Sequence, residues 1–106
     1  MRVILDENLP RELAVGLVGH QASTVAAQGW EGITNGELLR RIGGRFDVML
    51  TMDRNLPHQQ NLTGLAFGLV LIRAPSNRLI HLRPLVPAVL MILPTVRPGQ
   101  LVVVGA

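Results

Sequence analysis

Short runs of β-branched and aliphatic residues alternate along this chain with helix-patterned, Gly- or Pro-bounded stretches, and that alternation constrains the fold more than any other feature. The runs are Val3–Leu5, His20–Ala26, Phe46–Thr51, Ala66–Ile72 and Gln100–Val104. Phe46–Thr51 is apolar on both faces, as central parallel strands are. Between the runs lie helical signals. Asn8-Leu9-Pro10 reads as a helix opening, with Leu9, Leu13 and Leu17 at helical spacing and Gly19 as its stop. Thr34 to Glu37 has the spacing of a capping box before Leu38, Leu39 and Ile42. Leu82–Leu93 reads as a last helix that tolerates Pro84 near its start. Strands separated by helices imply βαβ crossovers and a parallel sheet. The predicted architecture is an α/β, three-layer α/β/α sandwich with a mostly parallel sheet of about five strands.

At 106 residues the chain accommodates one domain, residues 1–106, because a second core would have too little material. An apolar fraction of 48% against a charged fraction of 16% excludes a disordered chain. Absence of cysteine excludes disulfides, zinc-thiolate sites and a thiol nucleophile together. Asp6 interrupts the apolar start, so no signal-peptide core is read there and a cytoplasmic location is expected. Leu65–Ile72 and Leu85–Leu93 fall well short of the ~20 residues of a membrane span, so no membrane partner is expected. The formal charge of +3 comes from ten arginines and no lysine. Arginine suits bidentate phosphate contact, but these are scattered from Arg2 to Arg97 without a run.

Chemistry concentrates in an internal echo: Leu5-Asp6-Glu7-Asn8-Leu9-Pro10 and Met52-Asp53-Arg54-Asn55-Leu56-Pro57. Each copy follows a predicted strand, and groups beyond the carboxyl ends of parallel strands face the crevice where ligands bind. Two readings stand. In one, Asp6 and Asp53 converge, with Glu7 beside the first, and their mutual repulsion is relieved by a hard divalent cation. In the other, Asp6, Asn8, Asp53 and Asn55 cap the helices that follow. Glu37 likewise either reaches the crevice or completes the box with Thr34. His58, Gln59, Gln60 and Asn61 form a polar cluster beside Asp53 that contacts substrate or is a solvated turn. No histidine pair has metal-ligand spacing, and no phosphate loop or Ser-His-Asp arrangement stands out.

Val-Ile-Leu-Asp-Glu-Asn-Leu-Pro at the start, Gly-Ile-Thr-Asn-Gly-Glu-Leu-Leu, and Val-Met-Leu-Thr-Met-Asp-Arg-Asn-Leu together resemble small PIN-like proteins related to toxin–antitoxin ribonucleases, over about residues 1–62. The resemblance implies an acid cluster that binds Mg²⁺ or Mn²⁺ and cleaves RNA, with Asp6 and Asp53 on the family's first- and third-strand acids. It makes Asp6, Glu37 and Asp53 the catalytic candidates and adds Glu7 to the metal ligands. Asn8, Asn35, Arg54, Asn55 and Gln59 are the substrate-binding candidates. Relatives often carry acids where Asn35 and Asn55 stand, and an amide can coordinate a cation without adding charge. An antitoxin protein over the crevice and a homodimer through Leu85–Leu93, read as a helix buried on both sides, are the expected partners besides RNA. The rivals are a non-catalytic interaction module with a decayed metal site, and a phosphoacceptor receiver domain, which would need the lysine this chain lacks.

Overall fold

The computed structural model describes Met1–Ala106. Its strands are β1 (Arg2–Leu5), β2 (Gln21–Thr24), β3 (Val48–Thr51), β4 (Gly68–Arg73) and β5 (Leu101–Gly105). Its helices are α1 (Glu12–Val15), α2 (Asn35–Ile42), α3 (Leu56–Gln59), α4 (Leu79–Leu82) and α5 (Val86–Ile92). The strands form one sheet in the order β2-β1-β3-β4-β5, every neighbouring pair parallel. This is the predicted α/β sandwich, with the sheet wholly parallel.

Alternation along the strands divides the core in two. Val3, Leu5, Val48, Leu50, Val70, Ile72 and Val104 face one layer, which Leu13 of α1, Leu82 of α4 and Val89 of α5 cover. Ile4, Met49 and Leu69 face the other, covered by Leu38, Leu39 and Ile42 of α2 and Leu56 of α3. The chain moves one way across the sheet from β1 to β2 and the other way from β2 to β3, so crossovers of one hand place α1 and α2 on opposite faces. The reversal leaves a crevice between the loops that follow β1 and β3.

The last crossover departs from this rule. The step from β4 to β5 runs in the same direction as that from β3 to β4, yet α4 and α5 lie on the α1 face, so this connection has the opposite hand to the other three. One face of β5 is left bare in consequence. Val104 is buried, whereas Leu101 and Val103 are 38% and 46% exposed.

Several local expectations need correction. The first helix is a single turn at Glu12–Val15, preceded by Arg11 rather than by Asn8, and it ends at Gly16. The turn survives because Leu9, Leu13 and Leu17 are all buried, not because it is well capped. Leu82–Leu93 is not one helix. Prolines at 84, 87 and 94 each remove a backbone donor, and the segment is divided among α4, a 3₁₀ turn at Arg83–Leu85, α5 and a second 3₁₀ turn at Leu93–Thr95. Within the single chain only one side of it is covered: Val89 and Leu93 face the core while Met91 is 78% exposed. No helix is long and apolar enough to cross a membrane.

Candidate functional site

The echo occupies the crevice, but not in the way its sequence symmetry suggests. Asp6 and Asp53 are 47 positions apart, whereas the β1–β3 register pairs Leu5 with Leu50, an offset of 45. Continued one residue, that register sets Asp6 beside Thr51, and Asp53 lies two residues farther along β3's exit. The Asp6 N–H continues the ladder by donating to the Leu50 carbonyl at 2.9 Å. Asp6 is therefore the sheet-level acid and Asp53 the loop-level one.

Thr51 joins them. Its side chain has no solvent exposure, and its hydroxyl donates to Asp6 Oδ2 at 2.7 Å. The same oxygen accepts the Asp53 backbone N–H at 3.0 Å and an N–H of the Asn8 amide at 3.4 Å. A hydroxyl has one proton and two lone pairs, so Thr51 is fully used. The remaining Asp6 oxygen accepts the Glu7 N–H at 2.8 Å. Asp6, only 8% exposed, is a buried carboxylate satisfied by short, charge-assisted bonds, as burial of a charge requires.

Around this pair the other candidates take separate positions. Asn8 does not cap a helix. Its carbonyl oxygen accepts the Met52 N–H at 3.2 Å, so this side chain bridges the exits of β1 and β3. Asp53 accepts the Asn55 N–H at 3.0 Å, the bond of a local turn, and its other oxygen lies 3.5 Å from the Asn35 amide nitrogen at the start of α2. Asn55 caps nothing with its side chain. The capping reading of the echo thus reduces to that one turn bond at Asp53. Arg54 and Gln59 are exposed beside the crevice.

The two glutamates have partners of their own. Glu7 accepts the Gly32 N–H at 3.0 Å and tethers the loop after β2 to the exit of β1. Glu37 sits in a capping box that is only half formed: Thr34 accepts the Glu37 N–H at 3.4 Å, but the carboxylate turns toward the helix C-terminus. There it pairs with Arg40 at 2.6 Å and Arg41 at 2.9 Å. Those hydrogen bonds, Arg40 first and Arg41 second, hold its pKa down at about 2. No three acids or histidines come together in a geometry that holds a metal.

On the β2 side of Asp6 a cavity of about 510 Å³ is lined by Asp6, Glu7, Arg11, Thr24 and Glu31 among others. Asp53 is not part of it. Thr51, Glu31 and Asn77, whose amide donates to the Asn8 carbonyl at 3.1 Å, are site residues that sequence reasoning missed. For Thr51 a signal existed, since it is the one hydroxyl closing an otherwise apolar strand. Asn77, 69 positions from Asn8, gave none. No family model, curated protein or solved structure matches this chain.

Proposed function

We propose that this chain is an Mg²⁺- or Mn²⁺-dependent ribonuclease-like domain of the PIN-like kind, acting at the crevice between the exits of β1 and β3. The observation that carries the reading is that Asp6 and Asp53 leave neighbouring strands at the switch point of a parallel sheet, where the buried Thr51 hydroxyl donates to the Asp6 carboxylate and accepts the Asp53 backbone N–H. The donor set fits a hard cation. It offers carboxylate and amide oxygens only, and each carboxylate oxygen keeps a lone pair beyond the bonds it accepts. Asp6 and Asp53 would hold the ion, with the Asn35 amide turned to present its oxygen. Bound there, the ion supplies charge neutralisation at phosphate and an acidified water. The chain's own part is to fix Asp6 through Thr51 and to keep its position on rigid strands. Arg54 and Gln59 at the rim contact the RNA backbone, and an antitoxin protein covers the crevice.

A second reading is favoured by the pairing of Glu37 with two arginines and the lack of any three-acid group: a non-catalytic module that keeps the fold and binds a protein partner. The deciding experiment is incubation of labelled single-stranded RNA with the protein in Mn²⁺ or Mg²⁺, against Asp6→Asn, Asp53→Asn and EDTA controls. The nuclease reading expects metal-dependent cleavage that falls at least about a hundredfold in either variant, the usual scale for loss of a group that stabilises charge in the transition state. Absence of cleavage by the wild type in both metals, or cleavage that persists in both variants, rejects it.

A further inference from the structure

On the face opposite α1, a second cluster of side chains takes no part in the crevice. Arg41, Arg45 and Trp30 line a concavity of about 270 Å³. Arg45 has no acid partner. Its guanidinium lies 5.8 Å from the centroid of the Trp30 ring, within cation–π reach. Trp30 is itself 7% exposed and fixed edge-to-face against Phe46, with ring centroids 6.3 Å apart. Arg41 is held differently, its Nε donating to Glu37 at 2.9 Å, which leaves the terminal nitrogens of the fork free of protein partners. Glu37 is already shared with Arg40, so three guanidinium groups and one carboxylate leave this patch at +2.

Two guanidinium groups, each oriented from one side and open on the other, form a preorganised anion site, because little rotamer freedom remains to be lost on binding. The burial of Trp30 argues against base stacking and assigns it to positioning Arg45. Arg41 lies six residues along α2 from Asn35, roughly 9 Å at the helical rise. We infer that Arg41 and Arg45, positioned by Glu37 and Trp30, bind the phosphate backbone of single-stranded RNA leading away from the crevice. The inference rests on the RNA-directed reading above and names the surface that would carry its substrate.

Trp30 is the chain's sole tryptophan, so intrinsic emission reports on this patch alone. The test titrates the intact protein with a 12-nucleotide oligo-U in EDTA at 50–200 mM salt, following Trp30 emission and fluorescence anisotropy. Wild type is compared with Arg41→Gln/Arg45→Gln and with Arg78→Gln/Arg83→Gln, a variant of equal charge on the other face. Oligo-U is expected to change Trp30 emission. With a salt slope of about 0.7 per phosphate contact on a single strand, losing two contacts lowers the slope by about 1.4. From 50 to 200 mM salt the wild type then loses about sevenfold more affinity than the Arg41/Arg45 variant, while the Arg78/Arg83 variant follows the wild type. Equal slopes in the two double variants, unchanged Trp30 emission, or inorganic phosphate acting as strongly as the oligonucleotide would overturn the inference. RNA bound in this way without metal-dependent cleavage sinks the nuclease reading alone, whereas cleavage with an unchanged salt slope sinks this one alone.

Discussion

Replacing Thr51 by valine keeps the β-branched shape that a strand accepts and removes only the hydroxyl. Three bonds go with it: the donor to Asp6 at 2.7 Å and the acceptors of Asp53 N–H at 3.0 Å and of Asn8 at 3.4 Å. The bond to Asp6 is the costly one, since a hydrogen bond to a charged group contributes about 1.5–3 kcal/mol and this residue is only 8% exposed. The Asp53 N–H sits in a partly exposed loop where water can replace the hydroxyl, and the Asn8 contact is long, so together they add about 0.5 kcal/mol. The new methyl recovers at most about 0.8 kcal/mol of burial. A net loss of about 2 kcal/mol follows. At about 2.1 cal/mol/K per residue, 106 residues give an unfolding entropy near 0.22 kcal/mol/K, so Tm falls by about 9 °C. The assay is urea denaturation and thermal melting at pH 7, with the urea midpoint shifting at constant m. A double-mutant cycle of Thr51→Val with Asp6→Ala then isolates the pair, and a coupling of at least about 1 kcal/mol is expected. A Thr51→Val protein within about 0.5 kcal/mol of wild type, or strict additivity in the cycle, would refute the claim that this hydroxyl holds Asp6.

Two further predictions concern positions outside the crevice. Glu37 titrates at about 2 in the folded chain, below its ordinary 4.5, so its contribution to stability is complete above pH 4.5 and is lost as pH falls through about 2. A carboxyl NMR titration should find that midpoint, and Arg40→Gln/Arg41→Gln should return it toward 4.5; a wild-type midpoint near 4.5 would rule out the ion pairs. Gly68, buried at the start of β4, has no room for a methyl group, which would meet the Val96 side chain and the Arg97 carbonyl. Gly68→Ala should lower stability by about 1–3 kcal/mol, and an unchanged melting temperature would contradict this packing.

Much of the architecture was legible because it depends on local pattern. All five strands fall within the predicted runs or within two residues of them, and Thr34 caps α2 as its spacing implied. Patterns fail where two local rules compete. Asn8 has the chemistry of an N-cap, yet bridging two strand exits satisfies a backbone N–H that no other group reaches, and that use prevailed. Glu37 had the right spacing for its box, but two arginines one turn later offered charge where the Thr34 N–H offered only a dipole. Pro84, Pro87 and Pro94 divided a segment whose apolar content alone read as one helix.

By itself the sequence determined that the chain folds as a parallel α/β sandwich and that Asp6 and Asp53 both leave the sheet at its carboxyl edge, because periodicity and turn chemistry act over a few residues. Tertiary structure alone decided that Thr51, not Asp53, stands beside Asp6. Strand register is a pairing between distant segments, and an offset of 45 rather than 47 is invisible in either copy of the echo. The hand of the last crossover and the bare face it leaves on β5 are likewise global, since they depend on which layer has room for α4 and α5 once α1, α2 and α3 are in place.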